Sequence, residues 1–166
     1  LHPKGYEITH IVKGDTWTDA LKPPLLRPGL KIKKGMIVTH INGKKLSKAY
    51  SPSHALVNKS ASEVVVRLLD SKTKKRQSVN IQTIASEQAL RYRDWVEKNR
   101  EYVHKKSKNK IGYIHIPDMG PEGFAEFHRY FLTELDYDGL VIDVRFNGGG
   151  HVSPLLLSKL ARKRIG

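Results

Sequence analysis

The sequence predicts an α+β chain in two parts of different class, joined by a helix. Three observations carry this. Residues 1–84 hold short runs in which apolar and polar side chains alternate, the period of half-buried strands. Residues 85–110 switch to helical spacing with charges on every turn. Residues 111–166 alternate strand-like and helix-like runs in the order β-α-β-α, the pattern of a parallel sheet with crossover helices.

The elements follow in order. Residues 6–12 read as a strand, with Tyr6, Ile8 and His10 on one face and Ile11 and Val12 shifting the register. Residues 16–26 read as a short helical turn, capped by Asp15 or Thr16 and broken at Pro23-Pro24. Pro28-Gly29 and Lys34-Gly35 are turn signals, and 36–41 is a second strand closed by the turn pair Asn42-Gly43. Ser53 is placed to cap a short helix through Lys59. Residues 63–69 form a third, mostly buried strand. After a polar turn, 77–84 set Val79, Ile81 and Thr83 against Ser78, Asn80 and Gln82 in a fourth. Ser86 caps a long helix to about Lys106 with Ala89, Tyr92, Val96 and Val103 as its apolar stripe. A polar break precedes a strand at 111–116, a helix at 121–135 and a strand at 140–144. A glycine-rich turn then leads to a helix at 153–164 with Pro154 at its first position. There is no internal repeat.

The chain has 166 residues, 39% hydrophobic and 28% charged, enough for a packed core and unlike a disordered segment. Its length suits one domain or two small ones. The absence of Cys excludes a disulfide scaffold, a Cys-ligated zinc site and a cysteine nucleophile. No apolar run approaches the ~18–20 residues of a membrane-spanning helix. The opening Leu1-His2-Pro3-Lys4-Gly5 has neither an initiator Met nor a signal-peptide core, so an internal piece of a longer protein is expected.

Thirty Lys and Arg against sixteen Asp and Glu leave a net charge of +14. Such a charge attracts polyanions. The cations, however, fall at turns and helix ends: Lys31, Lys33 and Lys34 beside Gly35, then Lys72 to Arg76, then Lys105 to Lys110, then Arg162 to Arg164. No aromatic residues are interleaved with them. A solvated basic surface is expected, and nucleic acid is disfavoured as a partner.

The sharpest chemical signal is Asp143-Val144-Arg145-Phe146-Asn147-Gly148-Gly149-Gly150, at the carboxyl end of a parallel strand and opening onto a helix. Ligand sites form at such ends. Three glycines let backbone N–H groups approach an anion or a developing oxyanion. The motif lacks the Lys-Ser/Thr of a phosphate loop and the spacing of a dinucleotide site; it could also be a sharp turn without chemistry. Ser153 follows closely but stands outside a nucleophile elbow, and its expected role is a helix cap. His151 is too near in sequence to serve it well. His115 and His128 have no acidic partner at metal-ligand spacing, and Asp118 and Asp143 lie near strand ends with no fixed separation. Neither metal nor cofactor is expected.

These residues carry a resemblance. Residues 6–12 with Lys13-Gly14-Asp15, the Pro28-Gly29-Leu30 turn and the run from Lys34 to Gly43 resemble a PDZ domain. Ile111 to Met119 and Gly139 to Gly150 resemble the opening of the peptidase core of the tail-specific, C-terminal-processing serine proteases. Within that group the helix at 90–100 and Ile116-Pro117-Asp118-Met119-Gly120 are similar to the tricorn-like members. The resemblance covers nearly the whole chain. It implies a PDZ-like domain over 1–84 lacking its first strands, a linking helix over 85–110 and the N-terminal part of a serine peptidase core over 111–166.

The resemblance further implies a cytoplasmic, homo-oligomeric peptidase acting on peptides or polypeptides, with no membrane partner. It assigns the oxyanion donor to Gly149, with Gly148 and Gly150 as neighbouring registers. The nucleophile and base are expected outside these residues and the fragment itself inactive. In the PDZ-like part, His54 matches a groove-lining histidine, and Leu56 and Val57 could line the groove or pack in the core. The alternative from another class is a non-catalytic PDZ-type peptide-binding adaptor. A basic nucleic-acid module has only composition behind it.

Overall fold

The computed structural model describes residues 1–15 and 22–161 and divides into two compact units, 1–94 and 95–166. The first is built on one antiparallel sheet. Its strands are β1 (Tyr6–Glu7), β2 (Met36–Ile41), β3 (Lys44–Lys45), β4 (Glu63–Asp70) and β5 (Arg76–Gln82). The order is β1-β2-β4-β5, with β3 also paired to β2. Asn42 and Gly43 at φ 47° and 79° make the tight β2–β3 turn, the conformation for which Asn-Gly is favoured. Along β4, Val64, Val66 and Leu68 point inward. They pack with Ile8, Met36, Ile41, Leu46 and Ile81 into the core.

Several elements differ from expectation. The strand at 6–12 stops at Glu7. Ile8 still exchanges backbone bonds with Met36 and Gly35, each 2.8 Å. Beyond it the chain is held by a side chain instead: His10 Nε2 lies 2.9 Å from Asp94 Oδ2, and Lys13 N–H donates to Asp94 Oδ1. Of the helical turn at 16–26, residues 16–21 lie outside the described residues, and Pro24–Leu26 is a short 3-10 turn. The short helix is α1 (Pro52–Ala55), capped by Ser51 and not by Ser53. Ser51 precedes Pro52, whose fixed φ and missing N–H suit a first helical turn; its Oγ accepts from His54 N–H at 3.3 Å.

The long helix, α2 (Gln88–Lys106), receives Ser86 Oγ at Gln88 N–H, 3.2 Å, as expected. Its buried face is shifted: Leu90, Arg93, Asp94 and Val96 are inside while Ala89 is exposed. Arg93 and Asp15, both buried, approach to 3.9 Å. Polar burial of this kind is invisible to an apolar-stripe reading.

In the second unit β6 (Ile111–His115) and β7 (Gly139–Asp143) pair in parallel, Ile111 opposite Gly139 and His115 opposite Asp143. The crossover helix α3 (Pro121–Glu134) packs on β6. Phe127 is fully buried and stacks on Phe131 at 4.6 Å. Gly112 allows the close approach, since a Cβ there would meet Glu134 O at 2.5 Å. Then α4 (Ser153–Leu160) follows the glycine turn. Val152 occupies its N-cap position without a side-chain bond, so Ser153 is the first helical residue and not the cap. Residues 162–164 of the expected 153–164 helix lie outside the described residues.

Candidate active site

The site is built where β6 and β7 end side by side. Past their last paired residues the two chains remain stitched together. Ile116 N–H donates to Asp143 O at 2.9 Å, Gly148 N–H to Pro117 O at 3.0 Å, Met119 N–H to Gly149 O at 2.8 Å and Val152 N–H to Met119 O at 2.8 Å. The Ile-Pro-Asp-Met-Gly and Asn-Gly-Gly-Gly segments, some thirty residues apart in sequence, thus form one structure.

Each residue of the turn has a physical reason to be there. Gly150 has φ +140°, and a Cβ on it would sit 2.2 Å from Met119 O. Gly149 has φ +82° with open space where a Cβ would go. Asn147 Nδ2 donates to Ile116 O at 3.0 Å, and its Oδ1 accepts the Gly149 N–H at 2.7 Å. Asn147 thereby orients the Gly149 amide while occupying it. A side-chain amide oxygen can be exchanged for a stronger acceptor, because a negative oxygen forms a shorter, stronger bond to the same donor. Gly148 is less available, its N–H being committed to the Pro117 backbone.

Below the turn Asp143 is the centre of a charged knot. Tyr113 OH donates to its Oδ2 at 2.6 Å, and Arg145 grips both oxygens, Nε at 3.0 Å from each and Nη2 at 2.6 Å from Oδ2. The Arg145 bonds, opposed by burial and aided by Tyr113, hold the Asp143 carboxyl well below the usual carboxylate range. Burial first, then the carboxylate beside it, pushes the Tyr113 hydroxyl above its ordinary value, so it stays a donor. Asp143 is therefore a fixed anion that anchors the strand end, not a proton carrier. Arg145 also lies 5.1 Å from the Trp95 ring, and Phe146, 86% exposed at φ +63°, sits 5.9 Å from it.

The pH dependence follows. Asp143 titrates lower folded than unfolded, so its contribution is present above about pH 4 and is lost as pH falls through the depressed value. Tyr113 titrates higher folded, so stability falls as pH rises past about 10. Tyr113→Phe is expected to lower stability by about 1–2 kcal/mol at neutral pH and to shrink the alkaline loss. Calorimetry across pH 3–11 checks this; an unchanged alkaline limb would show that Tyr113 does not cause it.

The other singled-out groups serve structure. Asp118 Oδ1 accepts from Gly120 and Gly123 N–H, 2.7 and 2.8 Å, and so closes the start of α3. His115, 2% exposed, has Nε2 at 2.8 Å from Arg145 O and meets Trp95 edge-on. His128 Nδ1 bonds Phe124 O. No hydrogen bond joins His151 to Ser153 among the described residues. Ser51 Oγ and His54 Nδ1 lie 3.2 Å apart, but as the ends of a helix cap, and among the described residues no third group hydrogen-bonds the imidazole. No group of three metal-binding side chains occurs among the described residues, and no described helix is long and apolar enough to cross a membrane.

Of the groove candidates, Leu56 lines an apolar cleft of about 520 Å³ with Ile11, Pro24, Val64, Val66 and Ile81. His54 stacks on Tyr50, and Val57 is 60% exposed. Sequence reasoning missed the His10–Asp94 pair, which 84 positions separate. It also missed Asn147 as a bracket and Tyr113 as the partner of Asp143. Only the Asn before the triglycine offered a signal.

The two units thus join an antiparallel β-sheet domain to an α/β crossover that ends in a glycine turn. The comparisons agree. The peptidase family S41 matches residues 110–164, and the tricorn protease PDZ domain matches residues 2–86. A tricorn protease homolog of Saccharolobus solfataricus is 47% identical over 163 residues, 98% of this chain and 15% of that protein. The tricorn protease of Thermoplasma volcanium is 43% identical over 164 residues, 97% of this chain and 16% of that protein. The crystal structure of the tricorn protease superposes with a TM-score of 0.89 at 40% identity, covering all of this chain and 16% of that one. The chain belongs to the tricorn protease family and spans about one-sixth of the length of these relatives.

Proposed function

We propose that the protein to which these residues belong is a serine peptidase that cleaves peptides or polypeptides through an acyl-enzyme. In this reading the Gly149 N–H is one donor of the oxyanion hole. The observation that carries it is the Asn147–Gly149 bond: the donor is held in place by a side chain that a tetrahedral oxyanion can displace. Gly148 and Gly150 shape the turn. Nucleophile and base come from other parts of the protein. The resemblance extends the proposal to a cytoplasmic homo-oligomer, with the apolar cleft at Leu56, flanked by His54 and Val57, receiving extended peptide.

The test uses the full-length protein, a fluorogenic peptide and a serine-directed fluorophosphonate. Hydrolysis abolished by covalent labelling is expected, together with no hydrolysis by residues 1–166 alone. Asn147→Ala, which loosens the donor, is expected to lower kcat by roughly 10-fold or more with a smaller change in KM. Peptide binding without turnover by the full-length protein would favour the adaptor reading instead.

A further inference from the structure

The outer face of the first sheet gathers Lys45, Arg67 and Arg76, whose side chains make no ion pair among the described residues. A bulge between Val38 and His40 turns His40 onto the face of Arg67, its register partner on β4. His40 also pairs with Lys45 on β3, and Arg67 with Ser78 on β5. Lys45, His40 and Arg67 therefore stand in one row across three strands, each about 5 Å from the next. Arg76 lies diagonally from Arg67 on β5, in register with Leu69.

With Lys4 these side chains rim a cleft of about 640 Å³ whose floor includes Leu69. No carboxylate lines it. Among the described residues, the side chains of Lys4, Lys45, Arg67 and Arg76 make no ion pair or hydrogen bond. The nearest carboxylates on that face are at its margins: Glu7, in register with Ile37, and Glu63, bonded to Asn80. A second, smaller cleft shares Arg76 and adds Lys31, Lys33 and Lys75. Its one acid, Asp70, already accepts from the Lys72 and Thr73 N–H groups.

Arg67 and Arg76 are diagonal neighbours across β4 and β5, within reach of each other's long side chains, and like charges so placed repel. A local rule broken without internal compensation marks a place where something else supplies the missing charge. We infer that this cleft, on the face of the sheet, binds an acidic peptide segment through Lys4, Lys45, Arg67 and Arg76. Its volume of about 640 Å³ falls in the range of ligand-binding clefts. Its apolar floor accepts the carbon stems of extended Glu residues, whose carboxylates reach the cationic rim. No Phe, Tyr or Trp lines it, so it offers no platform for stacked bases, which single-stranded nucleic acid would use. The inference is independent of the peptidase reading, since it concerns binding by residues that this chain holds.

The test is fluorescence anisotropy on the 166-residue chain with a labelled, end-blocked hexaglutamate peptide, its hexaglutamine counterpart and a single-stranded oligonucleotide. Hexaglutamate is expected to bind and hexaglutamine not, with affinity falling as salt rises. R67Q/R76Q is expected to weaken hexaglutamate binding about tenfold, whereas K105Q/K106Q, two charges removed elsewhere, changes it less than twofold. Backbone amide shifts of Thr39, Arg67 and Ser78 on titrating the unmutated chain give the same answer without a variant. Equal weakening in both double variants would overturn the inference in favour of net charge alone. So would absence of shifts at the cleft, or oligonucleotide displacing the peptide there with higher affinity.

Discussion

Glu134→Ala is expected to cost about 3–5 kcal/mol, the largest stability loss of any single polar substitution in the second unit. Glu134 is 1% exposed at the end of α3. Its Oε1 accepts from Arg100 Nη1 at 3.1 Å; its Oε2 lies 2.7 Å from His104 Nε2 and accepts the Tyr113 N–H at 2.9 Å. One carboxylate thus ties α2, α3 and β6 together. Removing it leaves the Tyr113 N–H without its acceptor inside the protein, and a buried donor without a partner costs its full desolvation. Arg100 would keep Glu97, which also receives the Tyr130 hydroxyl. Glu134→Gln retains the volume and one acceptor oxygen and is expected to cost roughly half as much. Urea unfolding of both variants measures this. A loss under about 1 kcal/mol for Glu134→Ala would show that water replaces the carboxylate and that the knot is not what holds the helices to the strand.

Gly150→Ala is expected to have the largest effect on activity. An alanine Cβ would overlap Met119 O at 2.2 Å in a backbone conformation, φ +140°, that alanine rarely adopts. The atoms it would meet, Met119 O and C and Gly120 N, are all main chain, so no flexible side chain can give way. The turn must move, and with it the Gly149 amide. In the full-length protein kcat/KM is expected to fall by ~10²–10³, the size of one lost oxyanion donor. Gly148→Ala, with open space around the added carbon, is expected to cost far less. The two variants compared on one fluorogenic peptide, with the Met119 amide shift as a reporter of the turn, decide the matter. Equal rates for both would remove the turn from the mechanism.

The legible part of the fold was the part written locally. Strand β2 follows from the β-branched run Met36 to Ile41 between a Lys-Gly and an Asn-Gly turn, β4 from a mostly apolar run and β5 from a period-two pattern. Ser86 and Pro121 fixed the starts of α2 and α3. What escaped was set by distant partners. The strand from Tyr6 is cut short because Asp94 claims His10 and Lys13. The stripe of α2 is shifted because charged residues, Arg93 and Asp94, are buried in ion pairs. Ser51 and not Ser53 caps α1 because Pro52 takes the first helical position. At the site the glycines were legible as a strained turn. Their attachment to Pro117 and Met119 was not, because no local pattern encodes a bond across a crossover.

The strand pairings differ in how far apart their partners lie along the chain. Strands β4 and β5 meet across the few residues from Ser71 to Lys75. Closing so short a loop costs little chain entropy. Strands β6 and β7 meet only after the whole of α3 has been threaded between them. Contacts of long sequence separation form late. In refolding, amide protection should therefore appear first along the β4–β5 hairpin and later in the pairings that close longer stretches, β2 with β4 and Ile111–His115 with Gly139–Asp143. The glycine turn, stitched to both ends of that late pairing, would be among the final parts of the chain to acquire its shape.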